Sequence, residues 1–467
     1  MKGNDLTSTL RHLVAEDLAD VGDDLEGDDR KEFARQRIYA LLDQLSMDEP
    51  GSGIAELTVL DEQELAQSVL DSLFGMGRLQ ALIDDASIEN IDINGCDRVW
   101  VTFADGSKVL MPPVAESDDE LVELVRTAAS RYGLSERRFD TGRPELDLRL
   151  PGGARLSALM AVASRPSISI RRHRYADLSL GDLVELGSMD DGLASLLAAA
   201  VRARKNIVVG GAMNSGKTTL LRALASEVPP RERIVTIEQA FELGLDNAEG
   251  RHPDLVALEA RPSNVEGEGR ISVADLVRRG LRMNADRVIV GEVLGDEVLP
   301  MLNAMSQGRS GSMCTVHSNS SAGVFRRIAS YAVQAPERLP LEATNLLIAG
   351  SIHFVVFLDS EIADHVDDDR DSVGVGRGWS RSEYPGVSDP GADRAVRFPP
   401  QANRQRFVSS VREVVDAEGS QVVSNEVYVP GPDRRAVPGS PLRPQTLHEL
   451  VRSGYEPSAD PRSVSWA

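Results

Sequence analysis

The chain has 467 residues, 41% of them hydrophobic and 27% charged, the balance of a soluble globular protein of two to three domains. Lysine and arginine total 51 against 73 aspartates and glutamates, a net charge of −22, which argues against a general nucleic-acid binder because phosphate neutralisation needs clustered positive charge. No uninterrupted run of about 18 apolar residues is present, so no membrane-spanning helix is expected.

Residues 1–15 mix charges without an apolar core, unlike a signal peptide. Cys96 and Cys314 fit no metal or redox spacing. Together these features read as a cytoplasmic chain.

Residues 1–67 read as an acidic helical N-terminal appendage. Phe33, Ile38, Leu41, Leu42 and Leu45 recur at helical spacing, and Leu65, Val69, Leu70, Leu73 and Phe74 continue in a second helix. Residues 68–175 change to a mixed α/β pattern. Ile91 and Ile93 alternate with polar residues, Asn94-Gly95 and Asp105-Gly106 carry turn chemistry, and 99–103 has strand character. Leu121, Leu124, Val125 and Ala128 mark a helix with Gly133 at its end. Residues 176–184 are expected to be a linker.

From 185 to 358, short apolar runs at 206–209, 234–237, 288–290 and 313–316 alternate with helical patterns at 218–226, 298–305 and 324–331. Buried parallel strands with crossover helices produce this pattern. The stretch 345–358, broken by Ser351 and His353, reads as a buried helix followed by a strand. Residues 359–405, with Asp364, Asp367, Asp368, Asp369 and Asp371 followed by many Gly, Ser and Pro, are expected to be a flexible excursion. In the C-terminal extension, 406–467, the segments 411–415 and 422–427 read as a hairpin.

The strongest motif is Gly211-Ala212-Met213-Asn214-Ser215-Gly216-Lys217-Thr218, followed by Thr219. It matches GxxxxGK[ST], in which successive backbone N–H groups form a nest for phosphates, the lysine reaches the β- and γ-phosphates and the threonine hydroxyl faces Mg²⁺. A strand precedes it and a helix follows, as this chemistry requires. Two further apolar strands end on carboxylates, Glu238 and Glu292, with Glu242 one turn beyond the first. Such strand ends are where carboxylates serving a phosphate-bound metal and an attacking water belong. A fourth strand leads to His317, placed to sense the γ-phosphate or to contact a neighbouring subunit.

With these four segments in this order, the chain resembles the secretion-ATPase superfamily that powers type II and type IV secretion and pilus assembly. Within it the chain is most similar to the CpaF/TadA branch. The phosphate loop, the Glu238 segment, 282–293 and the His317 segment correspond to the family's Walker A, Asp box, Walker B and His box. Residues 91–95, 148–155 and 169–172 resemble its N-domain. The likeness covers about 68–358 and is weaker at 412–430.

The resemblance implies a RecA-like P-loop ATPase domain with a mixed α/β N-domain, MgATP as substrate and a homo-hexamer working on inner-membrane platform proteins at the inner face of the membrane. It also implies arginines from the N-domain reaching the phosphates, for which Arg149, Arg155, Arg171 and Arg172 are the candidates. Glu238 is assigned to water activation and Glu292, with Thr218, to Mg²⁺, directly or through water; the two glutamate roles are open to exchange. Three positions depart from the family pattern: Gln239 for an aspartate, Leu294 for an arginine and Arg309 for a histidine. They put turnover in question more than nucleotide binding. Two rival readings stay open, a nucleotide-gated scaffold with little turnover and a DNA-translocating conjugation ATPase. The charge of −22 disfavours the second, and no N-K-x-D motif points to GTP.

Overall fold

The computed structural model describes residues 3–21, 27–48, 57–103, 106–133, 138–172, 178–247, 251–261, 263, 267–306, 310–362, 397–398 and 404–457. The chain divides into two units, Met1–Arg174 with Asp367–Gln401, and Tyr175–Val366 with Ala402–Ala467.

The first unit begins with three helices, α1 (Gly3–Val21), α2 (Gly27–Asp48) and α3 (Val59–Phe74). A reciprocal Thr58–Asp61 capping box starts α3, satisfying N–H groups that the helix itself leaves unpaired. Leu10 and Val14 of α1, Ile38 and Leu42 of α2, and Val69 and Leu70 of α3 form one buried cluster. The helix therefore crosses the expected 67/68 boundary, because its apolar face closes the bundle on both sides of that point.

There follow α4 (Leu79–Asp84), β1 (Ile88–Asn94), β2 (Val99–Phe103), β3 (Lys108–Met111), α5 (Asp118–Tyr132), β4 (Glu145–Arg149), β5 (Arg155–Leu159) and β6 (Ser167–Arg171), with β13 (Arg397–Phe398) added from later in the chain. Among the described residues the sheet order is β13-β3-β2-β1-β6-β5-β4, and every pairing is antiparallel. The alternation read at Ile91 and Ile93 buries these side chains in one cluster with Leu121 and Val125 of α5. Asp105, half of one expected turn, lies outside the described residues.

The second unit contains α6 (Leu180–Glu185), α7 (Asp191–Arg202), β7 (Ile207–Gly211), α8 (Lys217–Ala225), β8 (Ile234–Glu238), β9 (Leu255–Glu259), α9 (Val273–Gly280), β10 (Arg287–Val293), α10 (Val298–Ser306), β11 (Met313–His317), α11 (Ser321–Gln334), α12 (Leu341–Ser351) and β12 (Phe354–Ile362), then β14 (Arg404–Glu418), β15 (Gln421–Pro430), β16 (Ala436–Pro438) and α13 (Pro444–Arg452). The sheet runs β16-β15-β14-β12-β7-β11-β10-β8-β9. From β12 to β9 all pairings are parallel, and from β12 outward to β16 they are antiparallel. One apolar cluster covers each face: α7 and α8 with Ile207 and Val209 on one side, and α9 to α12 with Val208 and Val290 on the other. This is a RecA-like α/β sheet, and helix burial on both faces explains why its central strands lack strict alternation.

Two boundaries differ from expectation. Residues 176–184 are not all linker: Ser179 and Asp182 form a capping box at the start of α6, whose Leu180 and Leu183 join the core. The domain also does not end at 358. β14 pairs along β12 from Phe354 to Ile362, so the expected C-terminal hairpin is longer than the two apolar runs and extends the main sheet. The flexible excursion expected at 359–405 falls mostly on 363–396 and 399–403, outside the described residues.

Two buried polar anchors hold the strand starts. Asn206 donates to the carbonyls of Met305 and Ser351 at 2.9 and 2.6 Å and accepts from the N–H groups of Gly311 and Ser312 at 2.8 and 3.0 Å. Arg287, 0% exposed, makes a two-pronged contact with Glu232 at 2.7 and 3.3 Å and donates to Val201 O at 2.8 Å. Each removes the desolvation cost of its neighbours by satisfying them.

Candidate active site

β7 is buried along its whole length and delivers the chain into the phosphate loop. Gly211 is required by space: a Cβ there would stand 2.4 Å from Ser215 Oγ and 2.9 Å from Leu358 O. Asn214 (φ 59°) and Gly216 (φ 93°) take left-handed conformations, turning the backbone so that successive N–H groups can converge. α8 starts at Lys217 with no side chain capping it, leaving its first N–H groups and its positive end for an anion. The Ser215 hydroxyl, in a residue 1% exposed, has no hydrogen-bond partner among the described residues. A buried donor without a partner is costly, and a phosphate oxygen in the loop would satisfy it. Ala212, Met213 and Asn214 form the exposed apex, while Thr218 and Thr219 are half-buried in the first turn of α8.

Lys217 is 7% exposed. Its Nζ donates to Ala212 O at 2.9 Å and stands 3.0 Å from His317 Nδ1. His317 Nε2 lies 2.7 Å from Glu292 Oε1. A neutral imidazole protonated on Nε2 fits both contacts, donating to the carboxylate and accepting from the ammonium. Three segments separated by up to 100 residues thus form one chain, lysine to histidine to glutamate.

Glu238, at the end of β8, is 4% exposed. Its Oε1 accepts from the N–H groups of Glu242 and Leu243 at 2.9 and 2.7 Å, and Oε2 has no partner among the described residues. Burial pushes this carboxyl up to about 7, the two N–H bonds offsetting only part of the cost. Gly291 makes room for it, since a Cβ there would meet Glu238 Cγ at 3.0 Å. Thr315 Oγ1 donates to Gly291 O at 2.7 Å, tying β11 to β10 at the same level. Because β7, β11, β10 and β8 are adjacent and parallel, their carboxyl ends bring Lys217, His317, Glu292 and Glu238 to one rim, where such sheets bind ligands.

Thr218 and Glu292 supply the hard oxygen donors that Mg²⁺ prefers. Among the described residues no group of three or more His, Cys, Asp or Glu side chains gathers as a cage. Mg²⁺ is commonly held by one or two protein ligands together with substrate phosphates and water, so a site completed by nucleotide needs no such cage.

Arg149, Arg155 and Arg171 are aligned directly opposite one another across β4, β5 and β6. Cross-strand partners share a sheet face, so three cations occupy one row, with Asp147 3.5 Å from Arg155. Like charges placed opposite each other are destabilising, and Asp147 supplies a counter-charge beside the row. Arg172 has a different environment. It is part-buried and donates to Asp85 O at 2.8 Å and to Ile83 O, bracing the end of α4. Its guanidinium is engaged with backbone, which separates it from the other three.

Of the departing positions, Gln239 and Leu294 are exposed and Arg309 lies outside the described residues. Cys314 is a buried core residue whose thiol burial pushes up. Sequence reasoning missed Gly291, Thr315 and Arg222, which donates to Glu242 O. Gly291 directly before Glu292 was the one visible signal. The other two look like ordinary strand and helix residues until their partners are known.

A family model described as type II/IV secretion system protein matches residues 74–374. The chain is similar to the type IV secretion system protein PtlH of Bordetella pertussis, 35% identical over 265 residues, covering 50% of this chain and 74% of that protein. It is also similar to the conjugal transfer protein TrbB of Rhizobium radiobacter, 28% identical over 285 residues, covering 60% and 82%. Among solved structures it is similar to the VirB11 ATPase of the Brucella suis type IV secretion system, 26% identical, covering 60% and 91%, with a TM-score of 0.31. No helix among the described residues is long and apolar enough to cross a membrane.

Proposed function

The chain belongs to the type II/IV secretion system protein family, and on that premise we propose that it is the ATP-hydrolysing motor subunit of a bacterial secretion or tight-adherence/type IV pilus assembly machine. The observation that carries the reading is the contact chain from Lys217 through His317 to Glu292 at the mouth of the phosphate loop. The lysine is held by a carbonyl oxygen and an imidazole among its partners, contacts it can exchange for phosphate oxygens when nucleotide enters the loop.

In this mechanism the nest at 211–218 and Lys217 bind the β- and γ-phosphates, and Thr218 and Glu292 hold Mg²⁺, which supplies charge neutralisation of the phosphates when bound. Glu238 receives a proton from the attacking water as the new bond to the γ-phosphorus forms. The β–γ bridging bond breaks, and ADP leaves with its electron pair. A carboxyl titrating near 7 suits that task at neutral pH. Arg149, Arg155 and Arg171 stabilise the negative charge on the transferring phosphoryl group, and the protein works as a homo-hexamer on inner-membrane platform proteins. His317 reports γ-phosphate occupancy, since it loses Lys217 when the lysine turns to phosphate.

The test is phosphate release by the purified full chain with MgATP. Turnover is expected, and Lys217→Ala should abolish it. Wild-type-like turnover by that variant would overturn the assignment, and tight ATP binding with negligible turnover in the parent would favour a nucleotide-gated scaffold. A second reading, a conjugation ATPase, is favoured by the similarity to a conjugal transfer protein and opposed as a DNA-contacting motor by the charge of −22. DNA-stimulated turnover would select it.

A further inference from the structure

The phosphate loop has a neighbour that this mechanism does not use. β14 runs antiparallel to β12, with Arg406 opposite Ser360 and Val408 opposite Leu358, while Leu358 lies beside Gly211 of β7. The start of β14 therefore passes the carboxyl ends of the parallel strands, the rim at which open α/β sheets bind ligands. There the Arg406 Nε donates a 2.9 Å hydrogen bond to Asn214 O at the loop apex. Its Cδ stands 3.4 Å from where a Cβ on Gly216 would be, so that glycine leaves room for the arginine stem as well as for its own left-handed turn. The side chain is exposed, and its two Nη groups have no hydrogen-bond partner among the described residues.

The direction of the Nε bond locates the arginine. Asn214 is exposed at the loop apex, whereas Ser215 and Lys217 are buried within the loop, so a guanidinium held on Asn214 O stands at the rim of the cradle and not inside it. Outside the cradle, what remains of a nucleotide is its nucleoside. A guanidinium is planar and stacks on aromatic faces, and with Nε committed to the loop its plane is held. Resting on the reading of this loop as a nucleotide site, we infer that Arg406 is the residue against which the purine base stacks. The C-terminal hairpin is then part of the base-binding wall, and a segment some 190 residues downstream of the phosphate loop completes the substrate site.

Calorimetric titration of the full chain with MgADP and with inorganic tripolyphosphate, a phosphate-only probe, tests this. Arg406→Ala should weaken ADP binding about tenfold, a stacking contact's worth, and leave tripolyphosphate within about twofold. Arg406→Lys should lose ADP to the same extent, because an ammonium has no planar face. Unchanged ADP affinity in Arg406→Ala would overturn the inference. So would equal losses for both probes, which would make Arg406 a prop or phosphate ligand, and so would full recovery by lysine. If the parent protein binds neither probe, the nucleotide-site reading itself fails, a result distinct from each of these.

Discussion

Replacing Glu238 with Gln separates the energetic cost of this carboxyl from its chemistry. The side chain is 4% exposed and burial raises its titration to about 7, against 4.5 for the same group when fully solvated. Between those two values the folded protein keeps a proton that the unfolded chain has released. Stability attributable to this group therefore falls as pH rises through that window and is flat above about 7. The gap of roughly 2.5 pH units corresponds to about 3 kcal/mol. Glutamine keeps an oxygen for the N–H groups of Glu242 and Leu243 and carries no charge, so the variant lacks this slope. In a unit of this size it should unfold roughly 6–12 °C higher than the parent at pH 8, with the difference shrinking toward pH 5. Scanning calorimetry of the nucleotide-free protein across that range is the assay. Parent turnover should rise through pH 7 and level off, while the variant stays inactive throughout. A stability difference that does not change with pH, or a variant less stable at pH 8, would refute the account of a strained buried carboxyl.

Glu292→Gln should leave ATP bound but slow hydrolysis by at least about 100-fold, because the charge facing the phosphates and His317 is lost while the shape remains; single-turnover measurements with binding controls would check it. Arg155→Ala should reduce turnover by about 10³-fold or more with little change in nucleotide affinity, the behaviour of an arginine acting on transition-state charge. Arg172→Ala should instead lower the stability of the first unit by about 1–3 kcal/mol, because the Ile83 carbonyl loses the arginine's hydrogen bond and the Asp85 carbonyl keeps only its bond from Ile88 N–H, seen as an earlier unfolding transition. Asn206→Leu should cost at least about 3 kcal/mol, since two N–H groups and two carbonyls lose their partner inside the core; urea unfolding measures it.

The phosphate loop was legible because its chemistry is contiguous. Strand, turn and helix lie within 207–225, and the glycines that free the backbone sit inside the motif itself. The carboxylate-ended strands were legible for a related reason. Parallel strands in one sheet end at the same edge, so Glu238 and Glu292 could be assigned to one rim before their partners were known. Local periodicity also marked the helices now seen at Val298–Ser306 and Ser321–Gln334, since a buried helical face needs only i, i+3 and i+4 neighbours.

Short-range rules thus encode the phosphate loop, the alternation of strand and helix, and the resemblance carried by four motifs in order. Tertiary structure decided everything that depends on pairing between distant segments. Register set Arg149, Arg155 and Arg171 in one row and turned Arg172 to the backbone. Strand order joined Lys217 to His317 across 100 residues, and antiparallel pairing carried Arg406 to the loop apex across 192. No periodicity records these contacts, because a strand's own pattern states which faces it buries and not which strand lies beside it. The free energy that selects the partner comes from closing the whole sheet.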